Sequence, residues 1–166
     1  MIAIKVPGYA EADAIDNLGQ VLINSLDPVT GLEHAYIYTP GVGLVAIPGV
    51  LEDYSDATGI NDKGQVVGSI IDACQIGSGD CYSTFLYQRG VLTAIDVDAA
   101  AVQAGFRIQG GVISDSGQIA AQSYNVFSNE GEAVILEPAT PEPQPLLLTL
   151  VSGLVLVGGM KISQRR

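Results

Sequence analysis

The chain has 166 residues, of which 48% are hydrophobic, and it carries a net charge of −11 at pH 7. This length fits one modest domain with appended segments, and the hydrophobic content argues against a body that is disordered throughout. The acidic balance argues against nucleic acid and an anionic lipid surface as partners of the body, because binding to either needs clustered Lys and Arg. We interpret the negative charge as a contribution to solubility.

The first residues, MIAIKVPGYAEADAID, contain neither a basic n-region nor an apolar h-region. They are therefore not a secretory signal peptide. Three interpretations stay open at this point: the sequence is truncated, its start is misassigned, or the protein is not exported.

Three segments of the body share one pattern: an apolar residue, then Asp, Asn or Ser, two variable residues, Gly-Gln and a β-rich run. A short polar side chain in the first turn position can accept a hydrogen bond from the turn's own backbone, and glycine supplies the positive φ needed three residues later. Each segment therefore predicts a β-hairpin, with the glutamine helping to tie adjacent strands. The predicted turn residues are Asp16, Gly19 and Gln20; Asn61, Gly64 and Gln65; and Ser114, Gly117 and Gln118.

Each hairpin is followed by a second pair of strands, in HAYIYTPGVGLVAI, in STFLYQRGVLTAI and, more briefly, in EAVILEP. Four short strands in about 45 residues are typical of a β-propeller blade. We predict an all-β body over residues 1–137, with four-stranded, blade-like units at about 12–50, 57–97 and 110–137. Because known propellers close with about four to eight blades, the alternatives are a fragment, an open stack or a small sandwich.

Two short segments interrupt this pattern. In CQIGSGDC, the glycines predict a turn that would bring Cys74 and Cys81 together. A disulfide there would stabilise the fold by roughly 2–3 kcal/mol and imply an oxidising compartment. Free thiols are the alternative, and zinc is disfavoured because no histidines lie nearby. In DVDAAAVQAGF, Asp98 as N-cap and Gly105 as the end predict a short helical insertion at 98–104.

The repeats resemble the bacterial HAF extracellular repeat, in which I-N-x-x-G-Q-V-V-G is followed by H-A-F-x-Y. INDKGQVVG at 60–68 matches the first part, and HAYIY at 34–38 matches the second closely. STF at 83–85 keeps only the aromatic residue, and EAV at 132–134 keeps only the alanine. The resemblance covers most of residues 12–137. It implies an extracellular, β-rich body and no defined activity.

The end of the chain changes character after the body. Residues 138–145 are rich in proline and predict a stiff, extended linker. Residues 146–160 carry no charge; as a helix they would be about 22 Å long against roughly 30 Å of hydrocarbon, and a snorkelling Lys161 extends their reach. The basic tip, Lys161, Arg165 and Arg166, would lie in the cytoplasm. The alternative is a buried element, but a core helix would show a polar face and LLLTLVSGLVLVGG shows none.

This tail closely resembles the PEP-CTERM sorting signal of Gram-negative bacteria. Pro141, Glu142 and Pro143 match its motif, 146–160 its apolar helix, and Arg165 with Arg166 its arginine cluster, so that 140–166 would be the signal. The resemblance implies an exosortase-type membrane protease or transpeptidase as a partner, transient anchoring through the helix, and release to the cell surface or the exopolysaccharide. Members of this family carry an N-terminal signal peptide, which is not present in this sequence.

The residues contain no catalytic signature. His34 is the only histidine, so no metal site made of several histidines can form. A Ser-His-Asp triad could use only His34, which is interpreted as a strand residue that hydrogen-bonds locally, and G-x-S-x-G is absent. The acid pairs Glu52-Asp53 and Asp96/Asp98 are interpreted as solvated turn residues rather than glycosidase carboxylates. Without a D-x-D-x-D-G loop, calcium is not predicted either. We expect no catalytic residue, no metal and no cofactor.

The sequence thus predicts a non-enzymatic, exported repeat protein that is sorted through its C-terminal tail. One alternative is part of a carbohydrate-binding or carbohydrate-active propeller, which acids and tyrosines clustered on one rim would favour; the tyrosines concerned are Tyr36, Tyr38, Tyr82 and Tyr87. Another is an intracellular β protein whose apolar C-terminus packs into its own core.

Overall fold

The computed structural model describes residues 2–48, 55–73, 80–95, 99–137 and 149–151, and this part of the chain is almost entirely antiparallel β-structure. The all-β prediction is confirmed. The strands form three four-stranded sheets, and each sheet is a simple meander in which sequential strands are neighbours.

The strands follow the chain in order. The first sheet contains β1 (Tyr9–Ile15), β2 (Val21–Leu26), β3 (Glu33–Thr39) and β4 (Gly43–Ala46). The second contains β5 (Ser55–Ile60), β6 (Val66–Ala73), β7 (Asp80–Gln88) and β8 (Val91–Ile95). After the helix α1 (Ala99–Gln103), the third contains β9 (Phe106–Ile113), β10 (Ile119–Asn125), β11 (Gly131–Glu137) and β12 (Thr149–Val151).

The first hairpin of each sheet has the same irregularity. The register shifts between Ala12 and Ala14 in β1 and between Ala57 and Gly59 in β5, and a corresponding shift separates Ala120 from Gln122 where β10 pairs with β9. A bulge of this kind bends the strand and increases its twist. Its recurrence gives the three sheets similar shapes, which lets one sheet pack on the next.

The sheets stack face to face in chain order. Because successive residues of a strand point to opposite faces, the second sheet contributes side chains to two different cores. In the second sheet, Val66 and Phe85 belong to the core shared with the first sheet, whereas Val67 and Leu86 belong to the core shared with the third. All four side chains are at most 3% exposed. The second sheet is therefore buried on both faces, which explains its continuous apolar runs.

Gly68 shows how tightly the second sheet is built. A Cβ added there would lie 2.2 Å from the Asp56 carbonyl oxygen and 2.7 Å from the Phe85 ring. Only glycine allows β5 and the Phe85 side chain to approach this closely. The G in the QVVG motif is thus explained by packing.

The predicted C-terminal helix is not confirmed. Of residues 146–160, the structure describes only Thr149–Val151, and these form β12, which pairs with β11 through Ile135 opposite Val151 and Glu137 opposite Thr149. The sorting-motif residues Pro141, Glu142 and Pro143 and the basic residues Lys161, Arg165 and Arg166 lie outside the described residues. Among the helices of the described chain, none has the length and apolar character needed to cross a bilayer.

Candidate functional site: the row of hairpin turns

The three predicted turns have one geometry. The backbone amide of the glycine donates to the carbonyl of the first turn residue, at 3.2 Å for Gly19 and Asp16, 2.8 Å for Gly64 and Asn61, and 2.9 Å for Gly117 and Ser114. The glycines have φ values of 76°, 69° and 93°, in the left-handed region that favours glycine. This is a type I turn followed by a left-handed glycine, a common connection between antiparallel strands.

The polar side chain that begins each turn accepts hydrogen bonds from the turn's own backbone. Asp16 Oδ1 accepts from the amides of Leu18 and Gln20, at 2.9 and 2.8 Å. Asn61 Oδ1 accepts from Lys63 and Gln65, at 3.1 and 3.0 Å. Ser114 Oγ accepts from the Gln118 amide at 3.1 Å. The shared polar position therefore has a structural use in every repeat.

Each Gly-Gln glutamine joins its turn to the third strand of the same sheet. Gln20 Nε2 donates to Thr39 Oγ1 at 2.8 Å, and Gln65 Nε2 donates to Gln88 Oε1 at 2.9 Å. In the third sheet Gln118 Nε2 donates to Glu137 Oε1 at 3.1 Å. The acceptors differ in chemistry but occupy the same place at the end of β3, β7 and β11.

The turns also contact each other across the sheets. The Asn17 amide donates to Asp62 Oδ1 at 2.9 Å, and the Asp62 amide donates to Asp115 Oδ1 at 3.0 Å. These residues are 45 and 53 positions apart, so each contact joins the same position of successive repeats. The Asn61 side chain adds a bond from Nδ2 to the Ser114 carbonyl at 2.9 Å. The result is a continuous row of turns along one side of the stack, running from the first sheet to the third.

A second set of equivalent bonds joins each sheet to the first strand of the next one. Asn24 Oδ1 accepts from the Ala57 amide at 3.1 Å, and Ser69 Oγ accepts from the Gly110 amide at 2.7 Å. Asn24 and Ser69 occupy the same position of β2 and β6. These two residues were not predicted from the sequence, and neither were Asp62 and Asp115. The signal that could have found them is their fixed distance along the chain from the Gly-Gln pair of their own repeat.

Acidic side chains gather where the first sheet meets the second. Asn24 Nδ2 donates to Asp56 Oδ1 at 2.8 Å and to Asp13 Oδ2 at 2.9 Å. Partial desolvation raises the pKa of the Asp56 carboxyl, and the nearby charges of Asp13, Glu33 and Glu11 raise it further. No group of three His, Cys, Asp or Glu side chains within the described residues is arranged to hold a metal ion.

Among the side chains that the structure describes, two buried polar atoms lack a hydrogen-bond partner. Asp16 Oδ2 is one of them. At the same position of the second turn, Asn61 Nδ2 donates to Gln65 Oε1 at 2.7 Å and to the Ser114 carbonyl at 2.9 Å. His34 Nδ1, on β3, is the other. Hydrogen bonds from the backbone amides of Val29 and Thr30 hold the pKa of Asp27 below its ordinary value. His34 lowers this pKa further by a smaller amount.

A shallow cavity of about 230 Å³ lies beside the β10–β11 turn. Asn125 shapes this turn, because its Oδ1 accepts from the amides of Phe127 and Ser128 at 2.9 and 3.2 Å. Its Nδ2 donates to the Ala104 carbonyl at 2.9 Å. The cavity therefore borders side chains that already serve the fold; it is lined by Phe106, Ser123, Asn125, Ser128, Glu130 and Glu132.

The remaining predicted residues are dispersed. Tyr36 and Tyr38 lie on β3, whereas Tyr87 packs against the core between the first and second sheets. The side chain of Tyr82 lies outside the described residues, as do Cys74 and the side chain of Cys81, so the predicted disulfide does as well. Glu52, Asp53, Asp96 and Asp98 also lie outside them. The helix α1 lies within the predicted 98–104 insertion.

Comparison of the chain with protein-family models, with curated proteins and with solved structures finds no match.

Proposed function

We propose that this chain is a non-enzymatic, exported repeat protein of the cell surface or extracellular matrix, sorted through its C-terminal tail. The observation that carries the proposal is the use of the repeats' shared polar residues. Asp16, Asn61 and Ser114 bind their own turns, and the three glutamines bind neighbouring strands. The repeated signature therefore serves architecture rather than chemistry on a substrate.

The tail supplies the sorting half of the proposal. Its Pro-Glu-Pro motif, uncharged segment and arginine pair have the order of a sorting signal that an exosortase-type membrane enzyme recognises. A removable C-terminal anchor holds a substrate at the membrane until processing releases the body. A disulfide between Cys74 and Cys81 would suit an oxidising compartment outside the cytoplasm.

Sorting can be tested by expressing the full chain in a Gram-negative host that has an exosortase-type enzyme. A secretory signal peptide fused before Met1 makes export independent of what precedes this sequence. An epitope at Val29, which is 91% exposed, reports the body. We expect a processed body at the cell surface, and an unprocessed, membrane-bound product when Pro141, Glu142 and Pro143 are replaced by alanine.

The matched control replaces Pro138 and Pro145, which flank the motif in the same linker, and should be processed normally. Equal processing of the motif variant and the parent would contradict recognition of the motif. Intact-mass measurement of the secreted body locates the cut.

Strand β12 favours a second candidate, an intracellular β protein whose apolar C-terminus adds to the body. Thr149–Val151 extends the third sheet to the same four-stranded order as the other two. This candidate predicts a detergent-independent product that keeps its complete tail when it is expressed without a fused signal peptide. Carbonate extraction followed by intact-mass measurement separates it from the first candidate, whose unprocessed chain should stay with the membrane.

A further inference from the structure

The outer face of the third sheet repeats faces that are buried inside the molecule. Ile135 occupies the position of Leu86, because β10 pairs with β11 as β6 pairs with β7. Leu86 is 3% exposed, whereas Ile135 is 46% exposed. Val112 is 60% exposed, although its counterpart Gly59 lies against the next sheet. The third sheet thus leaves open to solvent, at Ile135 and Val112, positions that the second sheet uses for packing.

The first sheet presents the opposite half of the same contact. Ile15 corresponds to Ile60 of the second sheet, and Ala12 corresponds to Ala57. Ile60 and Ala57 are 8% and 0% exposed and belong to the core between the first and second sheets, but Ile15 is 68% exposed and Ala12 is also exposed. The two ends of the stack therefore carry the two sides of one repeated interface around Ala12 and Ile15. Elsewhere on the outer face of the first sheet, Ile23 is already buried and Ser25 Oγ donates to the Pro7 carbonyl.

The polar residues of the two ends also match. At the junction of the first and second sheets, the Asn24 amide group donates to the Asp56 carboxylate and accepts from the Ala57 amide. On the outer face of the third sheet, the position of Asn24 is occupied by Gln122, which again offers a carboxamide. On β1, the position of Asp56 is occupied by Glu11, which again offers a carboxylate. Each end thus holds one half of an amide–carboxylate pair.

The row of turns continues in the same direction. Asn17 donates to Asp62 and Asp62 donates to Asp115, so a next acceptor would lie one repeat beyond Asp115. Asn17 stands at this position in the first repeat. Its side-chain oxygen is the group that would accept from the Asp115 amide of another stack.

We propose that two copies of this chain form a closed dimer, in which the outer face of the third sheet of each copy binds the outer face of the first sheet of the other. The contact is head to tail, since it joins two different surfaces, and such contacts close into rings when the rotation allows. Two copies bring together six four-stranded sheets, within the range of known propellers. The junction between copies would extend the interfaces seen within one chain, with Gln122 facing Glu11 of the second copy.

The mass of the full chain in solution tests this arrangement. Sedimentation velocity in one fixed mild detergent should give twice the 17.2 kDa of one chain. Ile135→Glu places a charge in the junction and should weaken pairing at least roughly tenfold. Val29→Glu introduces the same charge at a turn that is 91% exposed and should leave pairing unchanged. Circular dichroism checks that both variants are folded.

Cross-linking tests the orientation without a destabilising change. Glu11→Cys in ¹⁵N-labelled chain and Gln122→Cys in unlabelled chain, mixed and oxidised, should yield a labelled-to-unlabelled disulfide between positions 11 and 122, found by peptide mass spectrometry. A monomer at every concentration overturns the proposal and leaves the end faces to further repeats of a longer chain. Links between two copies of position 122, or masses that grow without limit, also overturn it.

Discussion

At the scale of single residues, the first turn differs from the second by one atom that matters. Asp16 has an oxygen, Oδ2, where Asn61 has an amide nitrogen that donates two hydrogen bonds. A buried acceptor without a partner costs about 1–3 kcal/mol relative to a satisfied one. The first repeat therefore tolerates a local defect that the second repeat does not have.

Asp16→Asn should remove this defect and stabilise the protein by about 1 kcal/mol, because the new amide would donate to Gln20 Oε1 and to the Asn61 carbonyl. Urea unfolding monitored by circular dichroism measures the change. Asp115→Asn is the control, since it removes the same charge and keeps the Oδ1 acceptor used by the Asp62 amide. An Asp16→Asn variant no more stable than the control would contradict the assigned role of Oδ2.

Asp56 makes stability depend on pH. Its pKa is raised in the folded protein by partial desolvation first and by Asp13, Glu33 and Glu11 second, so its charged form is disfavoured by folding. This cost is present above the folded pKa and disappears as pH falls below the usual carboxyl value. Asp56→Asn should therefore raise the melting temperature at neutral pH, with a difference from the parent that shrinks on acidification.

Asp27 provides the opposite case for the same measurement. Hydrogen bonds from the amides of Val29 and Thr30 lower its pKa, with a smaller contribution from His34, so its charged form is favoured by folding. Its contribution is present above the usual pKa and is lost as pH falls through the lowered value. Asp27→Asn should lower the melting temperature at neutral pH. The same sign of change for both variants would refute this account of the two carboxyls.

At the scale of elements, the hairpins could be predicted and the contacts between them could not. A Gly-Gln pair with flanking β-branched residues encodes a turn through local backbone geometry, and the glycines at 19, 64 and 117 have the expected positive φ. The bonds from Asn24 to Ala57 and from Asn17 to Asp62 join residues separated by 33 and 45 positions. No local propensity encodes such pairs; they follow only from how one sheet stacks on another.

In the tail, by contrast, even the local backbone conformation could not be predicted from the sequence. An uncharged run of this length is compatible with a membrane helix, a buried helix or a strand, because hydrophobicity alone does not determine backbone conformation. Strand β12 depends on the free edge of β11, a tertiary feature that the sequence of 146–160 does not contain.

The row of turns should contribute to stability through Asp62. Asp62→Ala removes both acceptors used by Asn17, whose backbone amide binds Oδ1 at 2.9 Å and whose Nδ2 binds Oδ2 at 3.0 Å. Because these bonds are exposed, we expect a loss of about 1 kcal/mol in urea unfolding. Lys63→Ala, at the next turn position, should change stability little. Equal losses in the two variants would mean that the contact between the turns contributes nothing.

At the scale of the whole molecule, the second sheet should be the most stable part, because it is the one covered on both faces. Its strands β6 and β7 pack on the first sheet through Val66 and Phe85 and on the third through Val67 and Leu86. Opening them requires both junctions to separate, whereas β1 can open at the cost of one. Backbone amide exchange in full-length protein should therefore be slowest in β6 and β7 and faster in β1.

Phe85→Ala tests whether this order arises from packing. Phe85 is 0% exposed and its loss should destabilise the protein by about 3–5 kcal/mol. Since its ring belongs to the core between the first and second sheets, exchange should accelerate more in β2 and β3 than in β10 and β11. Leu86→Ala, on the other face of the same strand, should reverse that preference. If both variants accelerated exchange equally in all three sheets, the stack would open as a single unit, and its two junctions would not be separable steps.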